Sequence, residues 1–181
     1  AGNVIYADDL VSLFGVDAVR FIMLHEMPFA QDGHVTYELM VERINTDLAN
    51  NLGNLVNRTL SMQNKYFAGL VQNPGVNEPV DEDLKSVVMN TVKQIDEKMD
   101  ELRVADSLDL ILDLFKRCNK YVDETMPWAL AKDPEKTGRL ATVLYNLLES
   151  VRIGGILLRP YLPETSEKIL SSLNTQKTSY D

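Results

Sequence analysis

Residues 44–58, with the sequence INTDLANNLGNLVNR, separate into two faces when they are wound as an α-helix at about 100° per residue. One face is apolar and consists of Leu48, Leu52, Leu55, Val56 and the following Thr59. The other face, called the polar stripe below, consists of Asp47, Asn51, Asn54 and Arg58, with Asn50 and Asn57 beside it. The pattern predicts a helix that packs against neighbours through its apolar face.

The composition of the polar stripe is unusual for a helix surface. Asn costs roughly 0.6 kcal/mol relative to Ala in a helix, and a merely solvated face would more naturally carry Glu and Lys. Asn54 and Arg58 lie one turn apart and carry planar donor groups, so together they could grip one planar ligand. The alternative is that the Asn residues cap a kink near Asn50 while Arg58 pairs with Asp47 or Asn54.

Helical periodicity extends along the rest of the chain, and no segment alternates long enough to predict a strand. We therefore predict an all-α helical bundle. Local signals at helix ends are Asp8, Asp9, Thr36 and Asp81 as N-caps, Gly15 as a C-cap, and Pro28, Pro127 and Pro160 as breaks. Gly154 and Gly155 predict a close approach by a neighbouring element. The predicted helices cover residues 10–14, 17–27, 37–44, 50–67 or 50–70, 81–102, 107–123, 134–158 and 164–173.

Composition is that of an ordinary soluble globular protein. The 181 residues fit one domain, with 45% hydrophobic and 25% charged residues. No apolar run reaches the roughly 18 residues of a membrane span, and no signal peptide is recognised. The lone Cys118 excludes an internal disulfide. We expect a cytoplasmic protein without a membrane partner.

The net charge of −9 limits the kinds of partner. A surface this acidic is poorly suited to tracking phosphates without sequence preference, so any nucleic-acid contact must be local and base-directed.

Residues for enzymatic chemistry are scarce. His25 and His34 are the only histidines, and neither follows a Glu at the spacing of a di-iron bundle. Cys118 falls on the inward side of its helix, and no glycine cluster precedes a basic helix start. The sequence predicts no catalytic residue and no metal site.

Trp128 is the only tryptophan and follows Pro127, where a helix is broken. A ring presented in this way can stack on a nucleobase for roughly 1–3 kcal/mol. The alternative is that the ring plugs the end of the bundle. A small basic group on the preceding helix, Lys116, Arg117 and Lys120, is typical of solvated surface.

Three stretches taken together closely resemble the methionyl-tRNA synthetase family of the bacterial type. They are residues 47–58, DLANNLGNLVNR, residues 27–33, MPFAQDG, and residues 121–128, YVDETMPW. The resemblance covers essentially the whole chain and corresponds to the region after the nucleotide-binding catalytic domain. Residues 1–4 are similar to those that follow the family's Lys-Met-Ser-Lys-Ser signature, which this sequence lacks.

The resemblance implies a stem-contact segment, residues 1–33, followed by an α-helical anticodon-binding domain, residues 34–181. The family positions that recognise the methionine anticodon, CAU, match Asn54, Arg58 and Trp128, with Asn50 and Asn51 as additional candidates. Related bundles occur in the leucyl, isoleucyl, valyl and cysteinyl enzymes.

The resemblance also implies the partners: the anticodon loop of methionine tRNA and a catalytic domain in the same polypeptide. ATP and magnesium, with structural zinc as a further candidate, would belong to the whole ligase, and this chain alone would hold no cofactor and be inactive. The alternative function is a helical protein-interaction module with no RNA role, which the acidic surface also suits.

Overall fold

The computed structural model describes residues 4–27 and 35–179, and these residues form helices and connecting loops without a strand. The all-α prediction is confirmed. His34 and the predicted loop before it lie outside the described residues. The α-helices are α1 (Ala7–Phe14), α2 (Val16–Glu26), α3 (Tyr37–Arg43), α4 (Asn54–Phe67), α5 (Pro79–Asp100), α6 (Val104–Thr125), α7 (Pro127–Leu130), α8 (Thr137–Leu158) and α9 (Pro163–Ser172). A π-helix, Ile44–Gly53, joins α3 to α4, and a 3₁₀ turn, Pro134–Lys136, precedes α8.

Most helix ends lie where local chemistry predicts them. Thr36 caps α3, its hydroxyl accepting the Leu39 N–H at 3.1 Å. Gly15 closes α1 with φ of +83°, a conformation that favours glycine. The predicted N-caps at Asp8, Asp9 and Asp81 are wrong. Asp8 and Asp9 lie inside the first turn of α1, which begins at Ala7. Because Pro79 suits the first helical position, α5 starts two residues earlier, and Asp81 accepts the Glu78 N–H at 2.9 Å from within the first turn.

The core lies between α5, α6 and α8. A Cβ added to Gly154 on α8 would stand 2.5 Å from Cε1 of the fully buried Phe115 on α6, which confirms the predicted close approach. The segment Pro134–Leu158 is long and apolar enough to cross a membrane, with a mean hydropathy of 1.3, but 78% of its most apolar window is buried in the fold. Its apolarity is that of a core helix.

A buried polar network joins these three helices. The carboxylate of Asp81, 0% exposed, accepts hydrogen bonds from Arg139 Nη1 at 2.6 Å and Nη2 at 2.9 Å, and from the Tyr121 hydroxyl at 2.6 Å. Asn146 donates to the same hydroxyl at 3.2 Å, and Arg139 also donates to the Val76 carbonyl at 2.9 Å. The network therefore holds α5, α6, α8 and the loop before α5 in one arrangement.

Replacing Asp81 with Asn should destabilise the fold by about 3–5 kcal/mol, because Arg139 would lose its buried counter-charge and keep only the exposed Glu78 carboxylate, 3.4 Å from its Nε. Glu82→Gln is the matched control, since Glu82 is 66% exposed and forms a surface ion pair with Lys85. Glu82→Gln should lower the free energy of unfolding by less than about 1 kcal/mol. The free energy of unfolding in urea measures both, and equal losses would contradict a structural role for the network.

The same carboxyl should contribute to the pH dependence of stability. Burial alone would raise the pKa of Asp81, but hydrogen bonds from Arg139, Tyr121 and the Glu78 N–H hold it below the ordinary value of 3.8. A lowered pKa gives stability that is present above the unfolded pKa and lost as the pH falls toward the folded one. The wild-type chain should therefore lose stability below about pH 4 more steeply than Asp81→Asn.

Candidate nucleic-acid interface

The outward face of α4 carries the predicted pair. Asn54 and Arg58 are both exposed, and the Arg58 side chain is 44% exposed. On the opposite face Leu55 and Thr59 are buried. In α4 the two faces thus lie as the helical wheel predicts, and Asn54 and Arg58 stand one turn apart on the same surface.

In the preceding π-helix the predicted exposure is wrong. Asp47 and Asn51 are 5% and 8% exposed, so they are buried and do not lie on the polar stripe. Each N–H in a π-helix bonds to the carbonyl five residues back, so successive side chains advance by a smaller angle than in an α-helix. The Asn54 N–H accordingly bonds to the Ala49 carbonyl. Asn50 remains exposed.

Asn51 connects the π-helix to α6. Its Nδ2 donates to the Leu112 carbonyl at 3.0 Å. In return, Nδ2 of Asn119 donates to the Asn51 main-chain oxygen at 2.9 Å and to its Oδ1 at 3.2 Å. The side chain of Asn51 is therefore occupied within the protein.

Arg58 is held loosely. Its Nη2 lies 3.8 Å from Oδ1 of Asp123, and its guanidinium makes no hydrogen bond with the part of the chain that the structure describes. The alternative pairing with Asp47 or Asn54 is wrong, since among the described residues the carboxylate that Arg58 contacts is that of Asp123. By contrast, the arginines Arg43, Arg103, Arg117, Arg139 and Arg152 each lie within 2.7 Å of a carboxylate. The donors of Arg58 are thus available to a ligand.

Trp128 follows the break between α6 and α7. Met126 adopts a left-handed conformation with φ of +45°, Pro127 is buried at the start of α7, and Trp128 is 42% exposed. A ring that only plugged the bundle would be covered to a greater extent. Asp123, which contacts Arg58, lies near the end of α6 and five residues before Trp128. Arg58 therefore stands at the end of α6 from which Trp128 projects.

The small basic group on α6 has carboxylate partners. Arg117, only 13% exposed, is neutralised by two acids. The pairs are Lys116–Asp113 at 3.0 Å, Arg117–Asp83 at 2.6 Å, Arg117–Glu124 at 3.0 Å and Lys120–Glu124 at 3.7 Å. This pairing agrees with a solvated, structural surface.

His25 and Cys118, the side chains that could take part in catalysis, are held by contacts within the fold. The ring nitrogens of His25 lie 2.9 Å from Glu26 and 2.7 Å from Asp109, and its ring stacks on Phe21. Burial raises the pKa of the Cys118 thiol to about 12, so it stays protonated at neutral pH. Within residues 4–27 and 35–179, no three His, Cys, Asp or Glu side chains are grouped to hold a metal ion.

The arrangement of helices and sequence is shared with known proteins. Residues 1–60 match the family model described as tRNA synthetases class I (M). The class of protein is therefore a class I tRNA synthetase. Residues 71–181 match the anticodon binding domain of methionyl tRNA ligase. This chain belongs to the methionyl-tRNA ligase family, as the resemblance predicted.

Relatives and solved structures agree with this assignment. The methionine–tRNA ligase of Clostridium perfringens is 47% identical over 99% of this chain and 28% of its own length. That of Caldanaerobacter subterraneus is 49% identical over 95% of this chain and 27% of its own length. A structure of Mycobacterium tuberculosis methionyl-tRNA synthetase with methionyl-adenylate superposes with a TM-score of 0.90 at 38% identity, covering 94% of this chain and 34% of that one. The chain thus spans about 28% of the length of the curated relatives. The division at residue 33 stays a prediction.

Replacing Arg58 with Ala should change the free energy of unfolding by less than about 1 kcal/mol, because a solvated ion pair at 3.8 Å contributes little to stability. Urea denaturation followed by circular dichroism measures this change. A loss above about 2 kcal/mol would show that Arg58 is a structural residue.

Proposed function

We propose that this chain binds the anticodon loop of methionine tRNA and recognises the CAU anticodon. The observation that carries the proposal is Arg58, whose planar donors make no hydrogen bond with the described part of the chain, whereas those of Arg117 and Arg139 are bound to carboxylates. It stands one turn from the exposed Asn54 and beside the end of α6 that leads to Trp128. Unstacked bases of an RNA loop present hydrogen-bonding edges and stacking faces, which these side chains suit.

Each side chain has a distinct role. Arg58 donates to acceptors on a base edge, Asn54 supplies a donor and an acceptor, and Trp128 provides a surface for stacking. Asn50 is exposed near the start of the same surface and remains a candidate for a further contact. Asn51 is buried against α6 and so contributes indirectly.

The electrostatics favour base recognition over phosphate binding. The chain carries a net charge of −9, and the basic group on α6 is paired with carboxylates. A protein that tracks phosphates needs several free cations, each of which displaces a counterion. Recognition here rests on a few directed contacts.

Catalysis belongs to the rest of the polypeptide in this proposal. The relatives are methionine–tRNA ligases more than three times as long as this chain, and one solved structure holds methionyl-adenylate. We infer that a catalytic domain in the same polypeptide binds ATP and magnesium and attaches methionine, while this chain supplies anticodon recognition.

Replacing Arg58 with Ala should weaken binding of a CAU anticodon stem-loop by about 1–3 kcal/mol, through loss of donors to a base edge. Trp128→Ala should cost a similar amount through loss of stacking. Fluorescence anisotropy of labelled RNA measures both. Arg103→Ala is the matched control: it removes an arginine at the start of α6, about 30 Å along the helix from Asp123, and should leave binding unchanged.

A change of anticodon base completes the test. The Arg58 and Trp128 replacements should be non-additive with it, because a wrong base has already lost the contacts. In the whole ligase, aminoacylation should fall while methionine-dependent ATP–pyrophosphate exchange is unchanged. Equal binding of CAU and altered loops by the wild-type chain would overturn the proposal and favour the protein-interaction module.

A further inference from the structure

We propose that Asn51 and Asn119 are positioning residues for anticodon recognition. Their paired amides, called the amide clamp below, fix the π-helix on α6 and thereby set where Asn54 and Arg58 stand relative to the end of α6. The inference rests on the proposed function and assigns it two residues that need not touch the RNA.

The contacts of the amide clamp are directional. Asn51 donates to the Leu112 carbonyl at 3.0 Å, and Nδ2 of Asn119 lies within 3.2 Å of three acceptors: the main-chain and side-chain oxygens of Asn51 and the Phe115 carbonyl. Because Asn51 is 8% exposed, moving it out of register would leave a buried amide without partners. Apolar packing by Leu52 and Leu55 has no such directionality.

The amide clamp and the proposed site share one helix register. Asn51 contacts α6 at Leu112 and Asn119, and Arg58, seven residues further on, contacts it at Asp123. The contacts with α6 therefore move toward its C-terminal end as the chain runs from Asn51 to Arg58. Seven residues span about 10 Å of helix, so a slip or rotation at the clamp is carried directly to Arg58.

The π-helix explains why the register needs fixing. A regular α-helix through residues 44–58 would place Asn51 on the same outward stripe as Asn54 and Arg58. In the π-helix Asn51 instead turns inward while Asn54 and Arg58 remain outward. The hydrogen bond from Asn51 to the Leu112 carbonyl forms when Asn51 points inward, as it does in the π-helix. It therefore stabilises the π-helix relative to a regular α-helix.

Discrimination between anticodons, rather than stability, is the property that tests the amide clamp. The 181-residue chain is titrated with labelled stem-loops carrying CAU or a one-base variant, and the ratio of the two dissociation constants is compared between variants. Asn51→Ala and Asn119→Ala should each lower this ratio roughly tenfold, and the double variant should lower it no further, since both remove one network.

The matched control is Gln63→Ala. Gln63 is another buried amide on α4, 5% exposed, but it donates to the Leu70 carbonyl at 2.7 Å at the far end of the helix. It should lower the melting temperature by an amount similar to Asn51→Ala and leave the ratio unchanged. If Asn51→Ala does not fold, the partly exposed Asn119→Ala carries the test.

The outcomes separate the two proposals. If the wild-type chain does not distinguish the stem-loops, the proposed function fails and the inference fails with it. If Arg58→Ala abolishes discrimination but both clamp variants behave like Gln63→Ala, the function stands and the positioning role is overturned. Loss of discrimination in the clamp variants, without any further loss when they are combined with Arg58→Ala, supports the role.

Discussion

The buried carboxylate of Asp81 is the contact on which the rest of the bundle depends. It lies on α5, accepts a hydrogen bond from Tyr121 on α6 and pairs with Arg139 on α8, and all three side chains are buried. An arrangement of the three helices that separated these two charges would leave each buried without its partner, which is strongly destabilising. Tyr121 stands just before Asp123 and seven residues before Trp128, so the same network fixes the end of α6 from which the recognition surface projects.

The buried Arg139 and the exposed Arg58 show how structure and recognition are divided. Arg139 uses its donors on Asp81 and the Val76 carbonyl within the fold. Arg58 makes no hydrogen bond with the described residues, and its Nη2 lies 3.8 Å from the exposed carboxylate of Asp123. An arginine whose donors were satisfied internally would have to break those bonds before it met a base, which would weaken binding. The loose contact therefore agrees with recognition and contributes little to stability.

Local sequence signals predicted most of the fold. Contacts between residues far apart in the sequence could not be predicted from those signals. Thr36 and the proline positions identify helix ends because capping depends on neighbouring residues. The π-helix was missed because it is held by contacts between Asn51 and α6, more than sixty residues away. Asp81 and Arg139 are 58 residues apart, and no pattern in the sequence joins them. Exposure of Asn54 and Arg58 followed from periodicity, but their role came from family resemblance.

The salt dependence of binding tests the central claim most directly, namely that an acidic chain recognises RNA through a few base contacts rather than through phosphates. The affinity of the 181-residue chain for a CAU stem-loop is measured between low and high salt. For single strands each phosphate contact contributes a slope of about −0.7 to log affinity against log salt. The account predicts a slope near −1 together with strong dependence on the anticodon bases. A slope steeper than about −3 with equal affinity for altered anticodons would contradict it.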